Sequence, residues 1–398
     1  MQRHSGHQLQ LLQGSNAFFE AMVQAMDAGL HEIRLETYIL DVHGGAEQVM
    51  QALERAALRG VSVALVVDGV GTPALPAPWP QRLTAAGVQW RVFAPLGRLG
   101  LLLPSRWRRL HRKLCVVDGE IAFCGGINVL DDWFDPNHGA LQAPRFDFAV
   151  RVTGPLVQEV HAVMSQFWWR IQAAQRAKQV DWKGAWQALQ QAVQDKRHVG
   201  ITPTAANGAL AELVLRDNLR YRTRIERAYR QALGDARYDI VLANAYFLPG
   251  RKIRKSLIHA AQRGVRVRLL LQGRYEYFMQ FHAAHALYAP LLAAGIEIYE
   301  YTPSFLHAKV AVVDGRWATV GSSNMDPLSL LLAREANVVV QNELFAQDLQ
   351  RCLEQAIRVD AQRVDPLRYT QRSLRLKVFD AMAYLLMRVM LFLNGKRY

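Results

Sequence analysis

A histidine and a lysine two positions apart recur in this chain with the same company around them. The run HRKLCVVDGEIAFCGGIN covers residues 111–128, and HAKVAVVDGRWATVGSSN covers residues 307–324. Counted from each histidine, Lys stands at +2, Asp at +7, Gly at +14 and Asn at +17 in both runs. Shared spacing at this many polar or Gly positions marks an internal repeat. Each run reads as two strands joined at an Asp-Gly turn. His111 and Lys113 then project from one face of a strand, as do His307 and Lys309. An imidazole, an ammonium and an amide converging on one point suit an anion. Two such sets would surround a phosphate with Lys113, Lys309, Asn128 and Asn324 and leave two imidazoles for the chemistry.

Two histidines flanking one phosphate imply a two-step displacement. One imidazole attacks phosphorus to give a phosphohistidine, and the other protonates the departing alkoxide. The second imidazole then takes a proton from the incoming hydroxyl. Charge on the non-bridging oxygens is met by the two Lys and two Asn. Gly125 and Gly126 let the backbone approach the bound group. No step requires a metal or cofactor, and the nearby acids do not resemble a divalent-ion cage. An attacking imidazole needs its ring held, usually by a carboxylate on the other nitrogen. Asp147 in RFDFAV and Glu335 in REANVVV are the candidates, each opening the strand-like run after its motif. Asp118 and Asp314 sit at the turns, where a structural role is favoured over direct chemistry. Tyr38 and Tyr246 occupy matching strand positions and read as core aromatics. Glu36 and Asn244 are paired as equivalents without a role.

The elements that must position these groups repeat too. EIRLETYILD (32–41) and RGVSVALVVDG (59–69) match DIVLANAYFLP (239–249) and RGVRVRLLLQG (263–273). A helix ending in Gly follows in each half, LTAAGVQWRVF (83–93) against LLAAGIEIYEY (291–301). Strand, helix, strand, helix, strand, strand, twice over, predicts an α/β fold with a mostly parallel sheet in each half. The polar, helix-prone stretch 170–200 has no partner and is read as the junction. This gives domains at 1–180 and 181–370, with a tail at 371–398. FWWR (167–170) reads as helix core.

The 398 residues carry 48 basic and 34 acidic side chains, a net charge of +14 and a pI near 9.9. That excess points to an anionic partner, nucleic acid or anionic lipid. Three cysteines without a spacing pattern argue against a disulfide framework or a zinc site. The N-terminus lacks the apolar core of a signal peptide, and no apolar run reaches the length of a membrane span. GRLGLLLPSRWRRLHRK (97–113) reads either as a solvated basic loop or as a lipid-facing lip with Trp107 among Arg106, Arg108 and Arg109. The tail, basic around AMAYLLMRVMLFL, suits an interfacial amphipathic helix, with packing on the protein's own core as the alternative.

The paired His-x-Lys, Asp and Gly-(Gly/Ser)-x-Asn pattern resembles the phospholipase D superfamily, from about residue 8 to 365. Within it, LETYILD, LANAYFLPG and both motif runs look like the bacterial cardiolipin synthases, in the short B-type form without N-terminal transmembrane helices. The resemblance implies two tandem domains, each a mixed, mostly parallel sheet flanked by helices, related by a pseudo-two-fold axis and sharing one active site. It implies His111, Lys113, Asp118, His307, Lys309 and Asp314 as the catalytic set, with Asn128 and Asn324 on the phosphate. The family's carboxylate maps to Glu335 for His307 and to Asp147 for His111. The two sets are nearly equivalent, and the attack is assigned to His111. The implied reaction moves a phosphatidyl group from phosphatidylglycerol to a second phosphatidylglycerol, releasing glycerol. It would take place peripherally on the cytoplasmic side of the inner membrane, with anionic phospholipid as partner and no nucleic acid. A phospholipid hydrolase and a nucleic-acid phosphodiesterase are the competing readings. The basic residues lie beside Leu, Met and Trp rather than among exposed stacking aromatics, which favours lipid.

Overall fold

The computed structural model describes residues 4–97, 100, 108–197, 209–217, 221–326 and 333–393. The chain divides into two compact units. Unit 1 comprises residues 1–131 and 149–213, and unit 2 comprises 132–148 and 214–398. The expected boundary at 180 therefore falls inside unit 1, and a short piece of the first half belongs to the second unit.

Unit 1 begins with β1 (His4–Gln13) and α1 (Gly14–Ala28). There follow β2 (Glu32–Thr37), α2 (Ala46–Leu58), β3 (Ser62–Asp68), α3 (Trp79–Ala86) and β4 (Gln89–Phe93). The motif region is β5 (Arg109–Leu110), β6 (Lys113–Val117) and β7 (Ile121–Gly125). After β8 (Phe134–Asp135) and β9 (Gly139–Ala140), which form a ribbon in unit 2, unit 1 resumes with β10 (Phe148–Thr153). Its sheet runs β1-β10-β7-β6-β2-β3-β4. The β2, β3 and β4 strands are parallel, while β6 pairs antiparallel with both β2 and β7, and β7 with β10.

The crossover α2 earns its place by spacing. Val49, Met50, Leu53 and Ala56 fall on one face and are fully buried. Beyond its last residue, Gly60 takes φ +91 and turns the chain into β3, a left-handed position that favours glycine. Phe18, Phe19, Met22 and Met26 of α1 cover the same core.

The stretch read as a junction is instead a helical hairpin of unit 1, α4 (Leu156–Lys178) and α5 (Trp182–Arg197). Phe167 and Trp168 are buried against Leu110 and Val66, as the helix-core reading expects. Ala185, Ala188 and Ala192 give α5 a small-residue face that is buried. Its polar composition disguised it as a linker because only these alanines are apolar and inward. The strand β11 (Ala209–Arg216) then pairs antiparallel with β1.

Unit 2 continues with α6 (Arg224–Asp235), β12 (Asp239–Asn244), α7 (Arg251–Gln262), β13 (Arg266–Gln272), α8 (Phe278–His285), α9 (Tyr288–Ala293) and β14 (Glu297–Tyr301). The second motif forms β15 (Lys309–Val313) and β16 (Trp317–Gly321), followed by β17 (Ala333–Gln341). The chain then makes α10 (Glu343–Val359), β18 (Ala361–Arg363), α11 (Pro366–Thr370) and α12 (Leu374–Leu393). The sheet order β14-β13-β12-β15-β16-β17 repeats that of β4-β3-β2-β6-β7-β10. The α/β class with a mixed sheet in each repeat matches the expectation, but the sheets are not mostly parallel: among the described residues each repeat has two parallel and three antiparallel pairings.

The tail does not stand free. Asp380, Ala383 and Met387 of α12 are buried in unit 2, and Asp380 bonds His282 Nδ1 at 2.7 Å and Arg372 Nη2 at 2.9 Å. Its opposite face, with Leu374, Val378, Met382, Leu385 and Val389, is exposed. Among the described residues no helix is long and apolar enough to cross a membrane.

The two motif turns are pinned alike. Asp118 and Gly119 have φ +51 and +66, and Asp314 and Gly315 have φ +53 and +60. The Asp118 carboxylate accepts from the backbone amides of Leu30, His31 and Glu32 at 2.8, 2.8 and 2.7 Å. Asp314 accepts from Arg237, Tyr238 and Asp239 at 2.8, 2.8 and 2.9 Å. Desolvation pushes the Asp118 pKa up, but the amides of Glu32, Leu30 and His31 outweigh it and hold the carboxyl below its usual range. Each carboxylate locks its hairpin to the start of the neighbouring strand. Replacing Asp314 by Ala should cost about 2 kcal/mol and lower the unfolding midpoint by about 4–8 °C. Thermal denaturation checks this. An unchanged midpoint would remove the clamp from the account.

Candidate active site

His111 stands immediately before β6 and His307 two residues before Lys309 opens β15. In each unit the residue preceding the histidine is held by a side chain at the end of a parallel strand. Leu110 N donates to Asp68 Oδ2 at 2.7 Å, and Leu306 N donates to Gln272 Oε1 at 3.1 Å. Asp68 and Gln272 close the matching runs VVDG and LLQG. Sequence reading passed over them, although their identical place before a Gly in both repeats was the available signal. In unit 1, Arg109 adds a bond to Asp68 Oδ1 at 3.0 Å.

Each lysine reaches back over its own motif. Lys113 Nζ donates to the His111 carbonyl at 2.7 Å, and Lys309 Nζ donates to the His307 carbonyl. Both ammonium groups are therefore fixed beside their histidines. Lys309 is fully buried, and burial lowers its pKa to about 8. Asp147, Glu335 and Glu276 oppose that fall. Asn128 is 6% exposed and uses its carbonyl oxygen to accept from Ile39 N at 3.1 Å, so its amide nitrogen remains the donor. Asn324 is 2% exposed in unit 2.

The orienting carboxylate differs from expectation. Asp147 bonds His307, with Oδ2 2.6 Å from Nδ1. Its other oxygen accepts from Phe148 N at 2.8 Å. The backbone makes this meeting unavoidable. The amides of His307 and Ala308 both donate to the Phe146 carbonyl at 2.9 and 3.0 Å, and Phe146 N donates to Phe305 O at 2.9 Å. The pairing of Asp147 with His111 is thus corrected, because the segment 132–148 lies in unit 2. Glu335 does not take the expected place at His307 Nδ1. It is buried, and its Oε2 accepts from Ser322 Oγ at 2.5 Å. The two acids do occupy equivalent positions. Asp147 lies two residues before Ala149, which pairs with Gly125, and Glu335 two before Asn337, which pairs with Gly321.

Asp118 and Asp314 belong to the clamps described above. Each lies at the far end of a five-residue strand from its histidine, about 17 Å along at 3.3 Å per residue. Their carboxylates bond backbone amides, so the geometry gives them the structural role and takes them out of the catalytic set.

The tyrosines move the other way. The Tyr38 ring lies 5.0 Å from the His111 ring, with Lys113 Nζ 5.5 Å from its centroid. Tyr246 donates its hydroxyl to Glu276 Oε2 at 2.8 Å in a cleft of unit 2. Tyr38 lines its motif and Tyr246 the cleft, which the apolar company of the preceding strands concealed. The bridges Leu40–Val129 and Phe247–Met325 match Tyr38 with Ala245, so the two tyrosines are not equivalent. Glu36 and Asn244 are not equivalent. Glu36 pairs with Leu114 in the ladder, whereas Asn244 pairs with Lys309 and Ala243 with Val310. Glu36 instead forms a buried bidentate pair with Arg112, at 2.5 and 3.0 Å. Unit 2 has Ala243 and Ala308 there.

Gly321 answers to packing rather than to a ligand. A Cβ there would meet the Asn337 side chain at 2.3 Å and the Ala336 carbonyl at 2.6 Å. Arg106 and Trp107 lie outside the described residues. Arg109 is engaged with Asp68. Cys115 and Cys124 are buried, which pushes both thiols up, Cys124 to about 12. Among the described residues no group of three His, Cys, Asp or Glu could hold a metal ion.

Comparison with known proteins places this geometry. The family described as "Cardiolipin synthase, PLD-like domain" matches residues 22–168 and 229–357. The protein named cardiolipin synthase B in Escherichia coli K12 is 37% identical over 370 residues, 92% of this chain and 84% of that one. Cardiolipin synthase B of Salmonella typhi is 38% identical over the same shares. Among solved structures, phosphatidylserine synthase of Haemophilus influenzae superposes with a TM-score of 0.68 over 98% of this chain and 95% of that one, at 12% identity. That likeness speaks to the fold.

The low pKa of Lys309 has a measurable consequence. The side chain is cationic below about pH 8 and neutral above it. A bound anion favours the charged form and moves the transition upward. Inorganic phosphate should therefore bind more weakly at pH 9 than at pH 7, and calorimetric titration of the whole protein at both values measures this. Affinity independent of pH would place Lys309 outside the anion site.

Proposed function

Since the chain belongs to the cardiolipin synthase family with phospholipase D-like domains, we propose that it makes cardiolipin from two molecules of phosphatidylglycerol through a phosphohistidine intermediate. It is a phosphatidyltransferase by family. The observation that carries the finer reading is that both His-Lys-Asn sets are intact in a chain matched along 92% of its length by cardiolipin synthase B.

In the first step one imidazole nitrogen attacks the phosphorus of phosphatidylglycerol, a nitrogen–phosphorus bond forms, and the bond to the headgroup glycerol oxygen breaks. The other imidazole delivers its proton to that oxygen, and glycerol leaves. The same imidazole then removes a proton from the glycerol hydroxyl of a second phosphatidylglycerol. That oxygen attacks phosphorus, the histidine departs, and cardiolipin is complete. His307, with Nδ1 tied to Asp147, has the support of a proton donor and acceptor, because the carboxylate stabilises the imidazolium at that moment. The attack stays with His111, as assigned from the sequence. Lys113, Lys309, Asn128 and Asn324 stabilise the phosphoryl oxygens as charge grows on them.

The test uses purified protein and phosphatidylglycerol vesicles, with lipids resolved by mass spectrometry. Wild type should yield cardiolipin and glycerol, and His111→Ala and His307→Ala should yield neither. Asp147→Asn should lower kcat by about 10²–10⁴ with little change in KM. Phosphatidic acid as the sole product would make water the acceptor and the enzyme a hydrolase. No lipid turnover would return the nucleic-acid reading.

The outward face of α12 supports a site of action at a membrane surface. Its outward residues Leu374, Val378, Met382, Leu385 and Val389 recur every three or four positions, and Leu386 flanks them. Arg375 and Arg388 lie beside this stripe over the Phe379 and Tyr384 rings, while the single acid, Asp380, is buried and paired. An apolar stripe edged by cations fits an anionic phospholipid surface, with the helix lying flat on it. This supports a peripheral enzyme, and the cytoplasmic side of the inner membrane is its proposed place from the family resemblance. Leu385→Asp with Leu386→Asp should abolish flotation with phosphatidylglycerol vesicles and leave the unfolding midpoint unchanged. Undiminished flotation would move the contact elsewhere.

A further inference from the structure

Unit 2 contains a cleft of about 370 Å³, counting the part open to solvent, beside the second motif. Tyr246, Gln272, Arg274, Glu276 and Tyr277 line its polar side, and Phe281 and Tyr288 its apolar floor. Arg274 is turned to the Pro303 carbonyl and the Phe305 ring. Its walls continue into the motif. Gln272 is the side chain that holds Leu306 N, Phe247 forms a bridge with Met325, and Asn244 accepts from Met325 N at 3.0 Å. Glu276 is close enough for its charge to act on Lys309.

The charge of Glu276 poses a chemical problem. A carboxylate beside a phosphate-binding ammonium repels the phosphate the ammonium attracts, and it weakens binding unless it serves another part of the ligand. Glu276 accepts a hydrogen bond from Tyr246, and its carboxylate bears on the Tyr277 hydroxyl as well. His138 and Arg145 influence it only through their charge. Burial raises its pKa, and the bond from Tyr246 lowers it in part. Among the described residues, this acceptor-rich group at the cleft has no cation hydrogen-bonded to it. A carboxylate that lacks a cation and stands among tyrosine hydroxyls and a glutamine amide is equipped to bind alcohol hydroxyls, which donate to the carboxylate and accept from the amide.

Resting on the phosphatidyl-transfer reading, we infer that this Glu276–Tyr246 cleft is the subsite for the polyol headgroup, holding the adjacent hydroxyls of glycerol beside His307. A two-step transfer uses one alcohol site twice, because the leaving glycerol vacates the position that the entering hydroxyl must take. The cleft would therefore set which alcohols accept the phosphatidyl group. Glu276 contacts the alcohol away from the reacting oxygen and serves binding and specificity, while His307 handles the proton.

The experiment uses the whole protein with phosphatidyl-p-nitrophenol in vesicles as donor, because its leaving group carries no hydroxyls. Nitrophenol release reports formation of the phosphatidyl-enzyme. Added glycerol or ethanol then competes with water, and the product ratio reports acceptor choice. For Glu276→Gln, whatever its rate of nitrophenol release, we expect the glycerol-to-water product ratio lowered about tenfold and the ethanol-to-water ratio unchanged. Tyr246→Phe should shift the glycerol ratio in the same direction and less. Unfolding midpoints of both variants should match wild type. An unaltered glycerol ratio overturns the assignment, as does an equal fall for ethanol, which would give Glu276 a general role. A selective loss of transfer to ethanolamine in place of glycerol would overturn it in favour of an ammonium site. Absence of nitrophenol release from wild type would instead overturn the transfer reading itself.

Discussion

A histidine on a strand is useful only if the strand cannot slip. Side chains alternate faces along a strand, so a shift of one residue would carry His and Lys to the wrong side together. The Asp118 and Asp314 carboxylates prevent this by each gathering backbone amides from the residues that lead into β2 and β12. At the other end of the hairpin, Asp68 and Gln272 hold the amide just before each histidine. Register is therefore fixed at both ends of the motif strand by side chains that do no chemistry. Asp at +7 recurs in both repeats for this mechanical reason.

Within that frame the two repeats solve one problem with different materials. Arg112 points away from the His-Lys face and is buried against Glu36, with Phe167 stacked 4.8 Å from its guanidinium. A buried ion pair is sensitive to the loss of either partner. Unit 2 puts alanines at both positions and relies on packing. The equivalence of the repeats thus lies in the backbone ladder and the polar set facing the site, while the opposite face has been free to vary.

Much of the site was legible because it is spelled in spacing. His, Lys, Asn and the turn Asp recur at fixed intervals, and the strand–helix alternation around them is carried by period and by Asp-Gly turns. What the sequence hid has a common cause. The partner of Asp147 depends on which unit the 132–148 segment packs into, a non-local choice that no local pattern encodes. Tyr38 and Tyr246 sit in apolar strands, where an aromatic at a site and one in a core look alike. The stretch 170–200 was legible as helix-prone but not as part of unit 1, because the packing face of α5 is alanine, too weakly apolar to mark it as packed. The clamps at Asp68 and Gln272 differ in residue type, so their common duty shows only when their hydrogen bonds are seen.

The exchange of residues 132–148 gives the two repeats a shared inheritance. His307 receives its carboxylate from chain that precedes β10 of the other repeat, so neither half is a self-sufficient unit of descent. A fragment beginning after residue 180 would keep His307, Lys309 and Asn324 and still lack the acid that steadies its imidazole. A change near Asp147 is felt in the repeat that does not encode it.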